Sequence, residues 1–161
     1  MNKLFQAALL ALMLLPTGTL AQDLYAGLAE YEDGNFEAAL KEWRPLAEQG
    51  NASAQTNLGY MFRTGKGVPQ DFSEALNWYQ LAAVQGDATA QFNLGLAYST
   101  GEGLPQDFVA AYMWYNMSSA KGNKNAAARQ DNLAGKMLPA DVSVAQKRAR
   151  VCMESNYQDC D

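Results

Sequence analysis

Residues 64–72 read TGKGVPQDF, two glycines around a lysine with an aspartate close behind, which is the composition of a loop that could cradle a phosphate. The stretch at 100–108 reads TGEGLPQDF, identical at seven of nine positions, with Glu102 where Lys66 stood. A phosphate site does not exchange its cation for a carboxylate, so the shared purpose is structural. Glu30, Glu32, Asp33 and Glu37 could supply an acid–base pair. They fall in and around a turn, however, where a solvated helix end explains them more simply. Histidine is absent from the sequence, which excludes Ser-His-Asp and Cys-His catalysis and every His-based metal site. No catalytic, cofactor-binding or metal-binding residue is therefore expected.

Two smaller motifs carry less. Ser118-Ser119-Ala120-Lys121 matches S-x-x-K, the nucleophile motif of penicillin-binding enzymes, but the partner motifs S-D-N and K-T-G are missing. Asn51-Ala52-Ser53 is nominally a glycosylation acceptor, at a position that also suits a helix cap.

The two cysteines, Cys152 and Cys160, are expected to pair if the chain reaches an oxidising compartment. Eight residues of continuous helix would separate their Cα atoms by about 12 Å, whereas a disulfide needs roughly 4.4–6.8 Å. The last helix must therefore end between them, around Asn156-Tyr157. A redox pair or metal site is the weaker alternative, because the spacing is not C-x-x-C.

Export is what the first 21 residues predict. Lys3 precedes an apolar run from Leu4 to Leu15 broken only by Gln6; Pro16 and Gly18 follow, then Thr19-Leu20-Ala21 at the places a signal peptidase reads. That run is short of the roughly 20 apolar residues a membrane span requires. No cysteine follows it to accept a lipoprotein anchor. The expected product is a single domain, 22–161, in the periplasm or secreted, with no membrane span after cleavage. Its acidic residues are concentrated in 22–110, which hold 12 acids against 4 bases, while 111–161 hold 5 acids and 7 bases. An acidic body argues against nucleic acid. The basic tail with Lys147, Arg148 and Arg150 reads as a solvated helix face, and a monomer is expected.

The elements behind these residues are repeated. Aligning 51–86 with 87–122 gives 17 identities without a gap, a period that points to a helical solenoid. Each unit reads as two helices. The first, from about Ala52 to Arg63, buries Ala54, Leu58, Met61 and Phe62, and Gly59 lets its partner approach. Gly65 and Gly67 open a turn, Pro69 stiffens its exit, and Asp71 caps the second helix with Glu74 completing a capping box. That helix turns Ala75, Trp78, Tyr79, Ala82 and Ala83 inward, and Gly86 ends it. The next copy repeats the plan with Leu94, Gly95, Gly101, Gly103, Asp107, Ala111, Trp114, Tyr115 and Gly122.

These residues closely resemble the Sel1-like repeat family, a branch of the tetratricopeptide-like solenoids, whose pattern is A-x-A-Q-x-N-L-G-x-x-Y, then G-x-G-V-x-x-D, then A-x-x-W-Y-x-x-A-A-x-x-G. It runs from Ala52 to Gly86 and again from Ala88 to Gly122, where Ser118-Ser119 replaces a double alanine. The expected fold is an all-α, right-handed α-α superhelix of about four helix pairs. It comprises a degenerate unit at 22–50, clear repeats at 51–86 and 87–122, and capping helices at 123–161. In the degenerate unit Asn35 stands at the cap position and Pro45 lies inside the second helix, where it removes a hydrogen bond and kinks the chain. Downstream, Asn123 to Lys136 reads as another first helix, and Pro139 opens a last one through about Glu154.

The resemblance implies a non-catalytic adaptor for a protein or peptide. First helices in such a solenoid line a concave face, where Tyr60, Phe92 and Leu96 would form an apolar stripe rimmed by Arg63. The alternative the family also implies is a weak β-lactamase or penicillin-binding hydrolase, although those relatives place a cysteine pair in each repeat.

Overall fold

The computed structural model describes residues 19–160; the expected leader lies outside the described residues except for its last three. Those three already belong to the first helix. Among the described residues there are eight α-helices and no strand: α1 Thr19–Glu32, α2 Phe36–Glu48, α3 Ala52–Thr64, α4 Phe72–Ala83, α5 Ala88–Thr100, α6 Phe108–Ala120, α7 Lys124–Ala134 and α8 Pro139–Glu154. Helices pair antiparallel as α1/α2, α3/α4 and α5/α6; α2 packs on α3 and α4 on α5, and α6 receives both α7 and α8.

Side-chain caps recur with the repeat. Asn51, Asp87 and Asn123 each accept a backbone N–H at the start of a first helix, from Ala54, Ala90 and Ala126. Asp71 and Asp107 do the same for second helices, accepting from Glu74 and Ala110. The capping box expected at Asp71 is half formed. The backbone N–H of Asp71 donates to the Phe62 carbonyl at 2.9 Å, and that of Asp107 to Tyr98 at 2.9 Å, so no donor is left for Glu74 to reach back to. Asn35 occupies its cap position without capping. Its side chain donates to the Glu30 carboxylate at 2.9 Å instead. Pro45 lies inside α2, which continues past it to Glu48.

The repeated loop is explained residue by residue. Gln70 and Gln106 donate to the last-turn carbonyls of Arg63 and Ser99, at 2.8 and 2.7 Å. Gly67 and Gly103 have φ of 73° and 76° and press on the preceding unit. A Cβ on either would come within 2.8 Å of Phe36 or 2.7 Å of Phe72, so only glycine satisfies both the dihedral and the contact. The opening resemblance to a phosphate loop is thus a turn that also clamps one unit to the next.

The helix pairs close on a small–large contact. A Cβ at Gly59 would lie 2.6 Å from the Tyr79 ring, and one at Gly95 2.6 Å from Tyr115. A Cβ at Gly27 would collide with Trp43 in the same way. This contact sets the register of the degenerate unit: Gly27 corresponds to Gly59, and the offset is four residues short because the α1–α2 turn spans 33–35 where the α3–α4 turn spans 65–71. Between units, Gln55 donates to the Ala47 carbonyl at 3.0 Å and Gln91 to Ala83 at 3.1 Å, both buried. These bonds satisfy carbonyls at the end of the previous second helix. The core runs through the stack in three groups. Trp43, Leu58 and Met61 anchor the first, Tyr79, Leu94 and Trp114 the second, and Tyr115, Ala126 and Leu133 the third. Trp78 is only half-buried and packs at the edge of the first group.

The C-terminal end folds as the cysteine geometry requires. Helix α8 stops at Glu154, and Asn156 and Tyr157 take φ of 54° and 66°. The Tyr157 N–H donates to the Cys152 carbonyl at 2.7 Å. The Cys152–Cys160 disulfide then closes with Cα atoms 4.5 Å apart.

Candidate functional site

The surface near the C-terminal ends of α1 and α3 gathers a cluster of charged and aromatic side chains. Lys66, in the α3–α4 loop, donates to the Tyr31 hydroxyl at 2.9 Å. Its ammonium sits 5.0 Å from the Tyr31 ring centre, 5.2 Å from Phe36 and 6.0 Å from Tyr60, within cation–π range of all three. The hydrogen bond to Tyr31 raises the Lys66 pKa above its usual value, against a smaller opposing effect of desolvation. One unit on, the equivalent loop residue Glu102 accepts from the Arg63 guanidinium at 3.0 Å. In the register set by Gly27 and Gly59, Tyr31 and Arg63 are the same position. Each loop therefore reaches back to the preceding first helix, once as ammonium on aromatic and once as carboxylate on guanidinium.

Beneath this surface Tyr79 is buried, and its hydroxyl has no hydrogen-bond partner. Burial drives its pKa well above the usual value, and the nearby Arg63 charge lowers it only in part. The equivalent Tyr115 differs. Its hydroxyl shares a 3.1 Å hydrogen bond with Ser99, the residue that replaces Arg63; burial still raises its pKa, partly offset by Ser99.

The four residues of the expected stripe are not equivalent. Tyr60 is 39% exposed and edges onto Tyr31, with ring centres 6.2 Å apart. Arg63 is engaged by Glu102. Leu96 is half-buried. Phe92 is also half-buried: its ring centre is 5.8 Å from Tyr115, and it packs on the group containing Ala126 and Leu133 of α7, the next first helix. The structure thus brings Tyr60 and Arg63 into one cluster and commits much of Phe92 to the core. Lys66, Glu102, Tyr31 and Phe36 were missed as members of that cluster. The signal was present: aligning α1 on its glycine shows Tyr31 changing to Arg63 as Lys66 changes to Glu102.

A second surface feature was also missed. Phe36 and Phe72 lie under the next unit's loop at Gly67 and Gly103, but Phe108 is 42% exposed because only the short α7–α8 turn follows it. Together with Pro105, Val109, Met137 and the exposed Leu138, it lines a cleft of about 630 Å³. The S-x-x-K serine sits elsewhere. Ser118 is fully buried and donates to the Ala88 carbonyl at 2.6 Å, while the Lys121 ammonium lies 5.3 Å from the Tyr157 ring centre. Among the described residues no group of three His, Cys, Asp or Glu side chains could hold a metal ion, and no helix is long and apolar enough to cross a membrane.

Stacked helix pairs, a clamping loop and side chains displayed across successive units define an α-α solenoid of the interaction-scaffold class. Profiles of the Sel1 repeat match residues 52–87 and 88–123. A Sel1 repeat protein from Oxalobacter formigenes is 34% identical over 70% of this chain and 88% of its own, with a TM-score of 0.63. The chain belongs to the Sel1 repeat family. A protective antigen present in uropathogenic Escherichia coli strains, displaying an SLR fold, aligns over 87% of this chain with 26% identity and a TM-score of 0.80. This chain spans about a third of that protein's length, 32%. No curated protein matches the chain at a significant level.

Proposed function

We propose that this protein is an exported, non-catalytic scaffold of the bacterial envelope that holds a protein or peptide partner against the face lined by its first helices. In this reading, residues 22–161 act as one binding domain, with Tyr60, Arg63 and Leu96 as contact residues and Phe92 setting the floor beside them. The observation that carries it is the exposed Tyr60 ring beside Arg63 on α3, with the Lys66 ammonium 6.0 Å from the ring centre and Glu102 paired to the guanidinium. Tyrosine and arginine are the side chains that most often anchor interfaces, and pre-ordering them reduces the entropy lost on binding. The Cys152–Cys160 disulfide supports export, since such bonds persist in oxidising compartments.

Crosslinking in the native envelope followed by identification of the captured species tests this reading. Tyr60→Glu with Leu96→Glu is expected to abolish capture while leaving the helical circular dichroism unchanged. Undiminished capture by that variant would remove the first-helix face from the proposal. Incubation with a chromogenic β-lactam addresses the catalytic alternative, and no turnover is expected, because the Ser118 proton is committed to a backbone carbonyl.

A further inference from the structure

Helices α1 and α8, the first and last among the described residues, carry exposed faces of opposite charge. Within the solenoid, α3 meets the previous second helix through Ala54, Leu58 and Met61, all buried, and through the Gln55 amide. In the register fixed by Gly27, the corresponding residues of α1 include Asp23, Ala26 and Ala29. Here Ala26 and Ala29 are exposed, Tyr25 beside them is 70% exposed, and the exposed Glu32 and Asp33 stand at the C-terminal end of the helix. Where α3 and α5 present a neutral amide to their neighbour, α1 presents a carboxylate.

Helix α8 is the counterpart. Its inner face, Ala145, Ala149 and Cys152, is fully buried. Its outer face repeats at i, i+3, i+4, i+7 as Val144, Lys147, Arg148 and Val151, all exposed, with the valines at 45% and 41%. This is an amphipathic spacing, used on the side of the helix away from the core. The four line a shallow depression of about 310 Å³ with Asp159. A purely solvated cap has no use for exposed valines at that spacing, and terminal units normally present a polar outer face.

We infer that the outer face of α8 docks the α1 face of a second copy of this chain, so that molecules associate end to end. Inside the molecule each second helix meets the next first helix, α2 on α3, α4 on α5 and α6 on α7, and the contact gives α1 the neighbour that α3, α5 and α7 already have. Val144 meets Tyr25 and the two alanines, and Lys147 and Arg148, one turn along, meet Glu32 and Asp33. Because the two faces differ, the contact is heterologous and extends in a row rather than closing on itself. The monomer expected from the sequence is then the dilute form.

The charges make the association sensitive to salt. At about 0.1 M salt the screening length is about 10 Å and at about 1 M about 3 Å. Analytical ultracentrifugation of the purified protein should show the average mass rising with concentration at the lower salt, and less so at the higher. Lys147→Glu/Arg148→Glu and Glu32→Lys/Asp33→Lys should each stay monomeric with unchanged circular dichroism. Mixed one to one, these charge-reversed variants should associate again, since each end then finds its complement. Three results would each overturn the inference: a wild type that stays monomeric up to its solubility limit, either variant associating like wild type, or a mixture that stays monomeric.

Discussion

Tyr79 and Tyr115 occupy the same place in successive units, each ring laid over a glycine of the preceding helix, yet their hydroxyls face different conditions. Tyr115 has Ser99 as a partner and Tyr79 has none. Removing an unsatisfied buried polar group is nearly neutral or stabilising, whereas losing a satisfied one costs about 0.5–1.5 kcal/mol. Urea denaturation should therefore show Tyr79→Phe at or above wild-type stability and Tyr115→Phe below it. Both phenols titrate above the ordinary value of 10.0 in the fold. A group with a raised folded pKa contributes its full stability below its unfolded pKa and loses it as pH rises through the folded one. The thermal midpoint should accordingly fall above about pH 10, and less steeply in Tyr79→Phe. The glycines under the rings are just as specific. Alanine normally gains about 1 kcal/mol over glycine in a helix, but Gly95→Ala would place a Cβ 2.6 Å from Tyr115. Overpacking of this kind costs roughly 1–3 kcal/mol, so a lowered melting temperature is expected.

Helix ends and turns carry their own predictions. Asp107 accepts from both Val109 and Ala110 N–H groups, and Asp107→Ala should cost about 1 kcal/mol. Asn35→Ala should cost little, because Asn35 makes no capping bond; chemical denaturation of the two variants side by side separates these roles. At the other end, the disulfide closes a separation of eight residues. In the chain-entropy account its removal by Cys152→Ser/Cys160→Ser costs about 2.5 kcal/mol, which calorimetry would detect as a lower midpoint. The caps at Asn51, Asp71 and Asp107 and the chain reversal at Asn156-Tyr157 were readable in the sequence because each rests on a few adjacent residues, whereas Asn35 makes no cap. The missing half of the capping box was not, since the competing acceptor, the Phe62 carbonyl, belongs to another helix.

Across the whole molecule, successive units are tied by the loops, and the ties are chemically different each time. The Arg63–Glu102 pair is partly exposed, and such pairs contribute at most about 1 kcal/mol. Arg63→Ser, which copies the next unit's Ser99, should therefore change the unfolding midpoint little. If the first-helix face binds a partner, the same substitution should weaken capture in a pull-down by far more than it weakens the fold. Stability would then reside in the glycine–aromatic contacts and recognition in the side chains above them.

The repeat, its helix pairs, its capped turns and the reversal before the last cysteine are all written into the order of residues, because periodic burial and cap chemistry are local and recur at fixed spacing. Which side chains meet across units emerges from the packing of the helices alone. The shorter first turn hid the register of α1, and with it the equivalence of Tyr31 and Arg63. Whether Phe92 faces solvent or the core depends on α7, and the exposure of Phe108 depends on how short the final turn is. Contacts between units form only when the helices stack, and a one-dimensional pattern does not record that distance.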